Sequence, residues 1–367
     1  MILPACCSKL RAGVTTHLNF ELIEGWLGLE TAPRRSLEEF VKRRLTLACW
    51  DYDRTAALAD GRVVPEGIDL NYLCLPIEET FFRMARNGEF DMSEMSFSSY
   101  VLSRNTSDRF IALPVFPSRA FRHSGIYINT NSGITKPTDL IGKVVGVPEY
   151  QVTAAVWIRG MLEDYYGVPG DSVSYRTGGL HDPGRYEKIQ IQPKGVEIVP
   201  IPNDRTLSEM LVSGEIAALY SPRSPQPFLD RNPNVARLWG DSPDAEIEYF
   251  KATGIFPIMH TIVIRRDVYE SDRWIAGSMY KAFLEAKSLL SKRLEESAAF
   301  IHMLPWSIQH LRMTKEIMGE DYWPYGIDSN RHVLEVFLKY SYDQGLAAKR
   351  FEVEELFAPE THELVLI

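Results

Sequence analysis

The sequence predicts an α/β protein with mixed sheets, large enough for two lobes with a core each. Three observations carry this expectation. Strand-like apolar runs alternate with helix-period segments, which places helices on both faces of parallel or mixed sheets. The chain has 367 residues, enough to bury two cores. Composition is that of a globular protein, 45% hydrophobic and 24% charged, with no internal repeat or low-complexity tract.

Residues 1–44 read as an appendage ending in the charged segment from Arg34 to Arg44; an early start codon in the gene model is favoured over an oligomerisation arm. The domain is expected to start at Leu45, where an apolar run to Trp50 has strand character and Asp51 to Ala59 can open a helix. Ile68 to Leu73 alternates at period two and reads as a half-buried strand. Ile77 to Asn87 reads as a helix with Thr80, Phe81, Met84 and Ala85 on one face, and Phe90 to Met95 as a strand. Ser96 to Ser99 then supplies helix-capping residues where the chain can turn into a helix. Phe110 to Val115 and Gly125 to Asn129 are expected strands. Thr138 to Val147 is a short helix, a glycine and a strand, and Val152 to Tyr166 is a helix. Gly195 to Ile201 is a strand, Leu207 to Gly214 a helix ending in glycine, and Ala217 to Tyr220 a strand. Gly254 to Arg265 returns to strand pattern. The remainder from Asp272 is mostly helical through Met303, with Pro305 marking a stop, and again from Asn330 to Tyr340. Thr177 to Gly184 reads as a surface loop.

A net charge of -9 argues against nucleic-acid binding, which needs a basic face. The four cysteines, Cys6, Cys7, Cys49 and Cys74, have neither metal-site spacing nor a secreted disulfide framework, so free thiols in a reducing compartment are expected. Residues 1–44 supply no secretory signal: no apolar run precedes Leu3-Pro4-Ala5-Cys6, and Phe20 to Leu29 is broken by Glu21, Glu24 and Gly25. No run approaches the ~20 apolar residues of a membrane span. The expectation is a cytoplasmic protein with no membrane partner; a homo-oligomer is compatible with the sequence.

Asp139 to Val147 resembles a stretch widespread in type-2 solute-binding proteins. Leu211 to Tyr220 resembles the helix-then-strand element that this superfamily points into its cleft. The resemblance implies a two-lobed, hinged periplasmic-binding-protein-like fold of type 2, with the ligand cleft between the lobes. It implies that 139–147 ends one lobe, which gives lobe 1 as 45–148 plus 250–345, lobe 2 as 149–249, and 346–367 as a C-terminal tail. Four further segments, Trp50 to Thr55, Phe90 to Tyr100, Phe121 to Ser124 and Trp323 to Gly326, resemble the 4,5-dihydroxyphthalate decarboxylase family. That resemblance covers roughly Leu45 to Gly345. It implies non-oxidative loss of one carboxylate from a dihydroxylated aromatic dicarboxylate, giving protocatechuate in bacterial phthalate breakdown.

In such a substrate each carboxylate is para to a hydroxyl, whose electrons can be pushed to the carbon that bears the carboxylate. Protonation of that carbon and loss of carbon dioxide complete the reaction. The site needs cationic anchors, an acceptor for the phenol proton, an acid for the ring carbon and exclusion of water. No redox cofactor or Schiff base is required. Arg122 is the first candidate anchor, followed by Arg54 and Arg223, because a guanidinium binds carboxylate through two parallel hydrogen bonds. His123 and His260 are the acid–base candidates. His17, His181, His302, His310, His332 and His362 read as loop or helix-face residues. Glu94 can orient a histidine or accept a phenol proton. Ser96 and Ser98, at a strand-to-helix turn, and Thr153, at the second helix start, suit an anion, and closure is expected to bring Arg122 and His123 toward Thr153, Ser221 and Arg223 across the hinge. His123, His260 and Glu94 could together hold a metal, but nothing in their spacing shows it, and no cofactor is expected. Ser98 lacks the context of a hydrolase nucleophile. Phe97, Trp323 and Tyr325 read either as substrate walls or as core. A non-catalytic binding protein for an aromatic acid remains the alternative, since a fold does not fix a function.

Overall fold

The computed structural model describes residues 42–185, 191 and 193–363, and its strands form two mixed sheets. The first contains β1 (Arg43–Cys49), β2 (Ile68–Cys74), β3 (Met92–Ser96), β4 (Phe110–Arg119) and the late strand β11 (Ile258–Arg265), in the order β2-β1-β3-β11-β4. β1, β2 and β3 run parallel, while β11 lies antiparallel between β3 and β4. The second sheet contains β5 (Ile126–Asn129), β6 (Val144–Val147), β7 (Ser174–Thr177), β8 (Ile198–Pro200), β9 (Ala218–Tyr220) and β10 (Val235–Arg237), in the order β10-β5-β9-β6-β7-β8. β5 is antiparallel to both its neighbours; β9, β6, β7 and β8 run parallel.

This pairing corrects the expected boundary at 148. β5 and β6 both belong to the second sheet, held there by β9, β10 and β7, so the chain first crosses between the end of β4 at Arg119 and the start of β5 at Ile126. It returns between Arg237 and Ile258, as the position of β11 shows. The segment expected as a tail also packs. Phe351, Val353, Leu356, Phe357 and Ala358 are buried, and the Ala358 N–H donates to the Ala112 carbonyl of β4 at 2.9 Å. The expected appendage lies outside the described residues as far as residue 41.

One apolar core runs through both sheets, carried by the helix Thr153–Asp164. Trp157 of that helix donates its indole N–H to the Ile258 carbonyl of β11 at 2.8 Å and packs against Phe337 and Tyr340 of the helix Arg331–Asp343. Phe337 also meets Phe97, at the start of the helix that follows β3. Gly160 is required in this spine, because a Cβ there would lie 2.2 Å from the Tyr340 ring. Cys49 is buried and Cys74 exposed, both as free thiols. Among the described residues no helix is long and apolar enough to cross a membrane.

Candidate active site

Ligand sites in open α/β sheets form at the carboxyl ends of strands. Here the ends of β3 and β4, the start of β11, and the segments after β6, β7 and β9 line a cavity of about 530 Å³. That volume suits a small ligand. Helix Ile77–Asn87 closes one side with Phe81 and Phe82.

Strand register builds its deep end. Glu94 on β3 pairs with Ile262 of β11, and His260, two residues along, pairs with Ser96. A spacing of two keeps side chains on one face of a sheet, so Glu94, Ser96 and His260 share a face. His260 donates its Nδ1–H to Glu94 Oε1 at 2.6 Å, which leaves Nε2 as the nitrogen available to the cavity. Phe81 packs edge-on against the imidazole at 4.9 Å, fixing its plane.

Glu94 is fully buried and saturated with donors. The Tyr52 hydroxyl donates to Oε1 at 2.7 Å, and the Trp50 N–H and the Cys49 thiol reach Oε2 at 3.1 and 3.6 Å. Burial pushes its carboxyl up, but the hydrogen bond and charge of His260, with the Tyr52 and Trp50 donors, outweigh it and hold the group below its ordinary range. Burial and the Glu94 charge together push the Tyr52 hydroxyl far above the usual tyrosine value, so Tyr52 stays a donor. A buried carboxylate that orients an imidazole is the arrangement that serves general acid–base chemistry.

Arg122 supplies the positive charge of this end. Its Nε donates to the sulfur of Met259, the neighbour of His260, at 3.0 Å. Among the described residues no carboxylate is in hydrogen-bond contact with its guanidinium, and Arg122 lines the cavity. Burial lowers its pKa to about 10, opposed by Glu246, so it is charged at neutral pH. Opposite, Thr153 begins the helix Thr153–Asp164, whose first N–H groups have no acceptor within the helix. Its hydroxyl is 2.8 Å from that of Ser96 and accepts the Ser98 N–H at 3.0 Å, tying the second sheet's helix to the first sheet.

No family model matches the chain. A protein named 4,5-dihydroxyphthalate decarboxylase, from Comamonas testosteroni, is 41% identical over 324 residues, covering 88% of this chain and 98% of that one. A second of the same name, from Pseudomonas putida, is 42% identical over 213 residues, covering 58% of this chain and 83% of the relative. The chain belongs to the 4,5-dihydroxyphthalate decarboxylase family. Among solved structures, the periplasmic sulfonate-binding protein of a putative sulfonate ABC transporter from Methylobacillus flagellatus KT matches with a TM-score of 0.54 at 14% identity, over 88% of this chain and 93% of that one. That likeness concerns the fold alone, and the fold is the expected two-lobed, periplasmic-binding-protein-like one.

Other candidates in this decarboxylase-family chain lie outside the cavity or contribute to it differently from expectation. His123 lies outside the cavity lining, because its ring is enclosed by Tyr166, Trp239 and Tyr249 and its Nε2 bonds the Tyr166 hydroxyl at 2.9 Å. Burial lowers its pKa to about 4, so it is neutral at ordinary pH. Arg54 also lies outside the lining. Its guanidinium is stacked between Tyr52 and Trp323, paired with Asp53 at 3.0 Å and bound to the Pro117 carbonyl. It supports Tyr52 from behind rather than facing a ligand. Ser98 is buried in its short helix and offers only its N–H, to Thr153. Ser221 lines the cavity, but its hydroxyl is turned to its own loop, donating to the Arg223 carbonyl at 2.7 Å. Arg223 stands at the rim, 64% exposed and 3.7 Å from Glu78. Phe97 and Tyr325 are core, and Trp323 stacks on Arg54; none lines the cavity, and Phe81 and Phe82 form the aromatic wall instead. Among the described residues no group of three or more His, Cys, Asp or Glu side chains is placed to hold a metal, His123, His260 and Glu94 included.

The loop read only as surface turned out to carry lining residues. Gly179 to Arg185 contributes continuously, including His181. Arg185 reaches Glu149 at 2.6 Å and Glu78 at 3.2 Å, so it joins the loop to both sheets' elements. The signal available in the sequence was the glycine pair. A Cβ at Gly178 would lie 2.4 Å from Ile201, and one at Gly179 would lie 1.7 Å from the Asp182 carbonyl oxygen, so only glycines fit this turn.

Proposed function

We propose that this chain is a cytoplasmic carboxy-lyase that converts 4,5-dihydroxyphthalate to protocatechuate without oxidation and without a cofactor, within aromatic catabolism. The observation that carries the reading is the pairing, in one aromatic-walled cavity, of a guanidinium free to take a carboxylate with an imidazole oriented by a buried carboxylate. The names of the relatives supply the substrate.

The ring lies against Phe81 and Phe82. Arg122 holds the carboxylate that is retained. A salt bridge to the departing one would stabilise the ground state and be lost as neutral carbon dioxide forms, which does not accelerate the step. Protonated His260 delivers its Nε2 proton to the carbon bearing the departing carboxylate, while Glu94 holds the Nδ1 proton and the ring plane. Glu94 and Tyr52 act through His260 and are positioning residues. Cleavage of the carbon–carbon bond returns its electron pair to the ring, and His260 regains its proton from water.

The test is incubation of purified protein with 4,5-dihydroxyphthalate, with and without a chelator, following protocatechuate and carbon dioxide. Turnover in both conditions is expected. Turnover abolished by the chelator would refute the cofactor-free mechanism. Tight binding with no product would refute the enzyme reading and leave a solute-binding protein.

A further inference from the structure

We propose that His181 is the second catalytic residue of this site, the base that takes the proton from the hydroxyl para to the departing carboxylate. The inference rests on the decarboxylase reading above and adds what that reading leaves open. The phenol oxygen and the carbon to be protonated are at opposite ends of the ring, so one imidazole at the ring carbon cannot also serve the hydroxyl.

The cavity has two ends of different origin. His260, Ser96 and Ser118 are neighbours in strand register on β11, β3 and β4, and Arg122 bonds Met259 beside them. That end takes the carboxylates. The loop Gly179 to Arg185, which follows β7 of the second sheet, brings His181 to the same cavity. The loop is fixed at three points. Its carbonyls at Gly179 and Leu180 accept the Leu207 and Ser208 N–H groups at 2.8 and 3.2 Å, its glycines fill a turn that no side chain fits, and Arg185 is held by Glu149 and Glu78. His181 itself is oriented by Ser208, whose hydroxyl lies 3.2 Å from Nδ1, leaving Nε2 for a ligand.

Base strength singles out His181 among the lining residues. The other proton acceptors there, apart from His260, are Glu78 and Asp182. Glu78 is engaged by Arg185 and Arg223. A carboxylate, with an ordinary pKa near 4, is a poor base for a phenol near 10, whereas an imidazole near 6.5 is closer to both the phenol and the working pH. In the resulting step, His181 Nε2 takes the phenol proton and the oxygen's electron pair moves through the ring to the carbon bearing the departing carboxylate. That carbon forms its bond to the proton from His260, giving a dienone. When carbon dioxide leaves, the pair of the broken bond restores the ring, the oxygen becomes a phenolate, and His181 returns its proton.

The experiment compares wild type, His181→Gln and His260→Gln on 4,5-dihydroxyphthalate and on a ring-fluorinated analogue with a more acidic phenol, across pH. Substrate binding is followed in parallel by quenching of intrinsic fluorescence. His181→Gln is expected to bind normally and to lose ~10²–10⁴-fold in kcat with little change in KM. The loss is expected to shrink with the fluorinated substrate and at higher pH, where the phenol ionises unaided; His260→Gln should be rescued by neither. Full activity in His181→Gln, or a loss that neither substrate acidity nor pH relieves, overturns the assignment while the decarboxylase reading stands. Failure of the wild type to decarboxylate either compound overturns that reading and the assignment together.

Discussion

Replacing Glu94 by glutamine tests the deep end of the site with almost no change of shape. The wild-type carboxylate receives four donors, from Tyr52, His260, Trp50 and Cys49, in a position with no solvent exposure. Glutamine offers one oxygen and one NH2. If its oxygen faces His260 and Tyr52, the NH2 meets the Trp50 N–H and Cys49 thiol, and a buried donor goes unsatisfied at ~1–3 kcal/mol. If it is reversed, the NH2 meets His260 Nδ1, which must give up its proton; the ring then holds its proton on Nε2 only as a neutral imidazole, a much weaker acid. Either placement removes the charge that supports protonated His260. Steady-state assay of Glu94→Gln should therefore show a kcat lower by ~10²–10⁴-fold, the range associated with a positioned acid. Urea unfolding should show a loss of ~1–3 kcal/mol, small enough to leave the protein folded. The sign with pH also follows. The Glu94 carboxyl is depressed in the folded protein, so its contribution is present above the ordinary glutamate value of about 4.3 and is lost as pH falls through the folded value. The stability gap between wild type and variant should narrow in acid. A variant destabilised as expected but with the wild-type rate would refute the orienting role.

Arg122→Lys keeps the charge but loses the fork, and Arg122→Met loses both. A hydrogen bond to a charged group contributes ~1.5–3 kcal/mol, so Arg122→Met should lower kcat/KM by roughly 10- to 150-fold, mainly through KM, with the lysine variant between. His123 has a folded pKa lowered to about 4 by burial, against an ordinary value near 6.5, so the unfolded chain binds its proton first. Stability should therefore fall as pH drops from ~6.5 to ~4, by an amount on the order of 3 kcal/mol from this residue alone. Denaturant melts of His123→Phe should lack that component, and its rate near neutral pH should match wild type. Gly160→Ala would press a methyl into the Tyr340 ring and should destabilise by ~1–3 kcal/mol in thermal or urea unfolding; an unchanged midpoint would contradict the shared spine.

Elements with strong local periodicity were legible in the sequence. Ile68 to Leu73 alternates and forms β2, and the apolar stripe of Ile77 to Asn87 forms a helix with those bounds. Ser96 caps the following helix by accepting the Ser99 N–H, as its position predicts. β7 and β10 were not legible because strands this short show only as apolar runs, as β5, β6 and β9 do, whereas Ser174-Tyr175-Arg176-Thr177 and Val235-Ala236-Arg237 are interrupted by polar residues. The helix Ser307–Met318 was not legible either; none of its residues is fully buried, so its apolar signal is weak beside that of the core helices. In the site, Glu94, His260, Arg122, Ser96 and Thr153 were all marked by residue type beside a strand end or helix start. Their assembly was not legible, because Glu94 and His260 are 166 residues apart and meet only through the antiparallel register of β11 on β3. His123 beside Arg122 looked equivalent to His260 in sequence. What separates them is tertiary, an aromatic enclosure against a carboxylate and an open cavity.

The charge pattern of the cavity suits a reaction that begins with two carboxylates and ends with one. Arginine is plentiful around it, but most of that charge is already matched. Arg185 is held by Glu149 and Glu78, Arg223 is drawn to Glu78 at the rim, and Arg54 is turned away onto Asp53. Arg122 lines the cavity with no carboxylate hydrogen-bonded to it among the described residues. A site for simple capture of a dianion would gain by matching both charges. A site for decarboxylation gains by matching one with a fixed guanidinium and leaving the other to the acid that protonates the ring carbon, because the charge of the departing carboxylate is what the transition state delocalises into the ring. A second fixed guanidinium at the departing carboxylate, with no proton to give up, would be expected to tighten binding while slowing the chemistry. Among the described residues Arg122 is the lining arginine that pairs with no carboxylate, a pattern that on this fold suits turnover better than retention of a dianion.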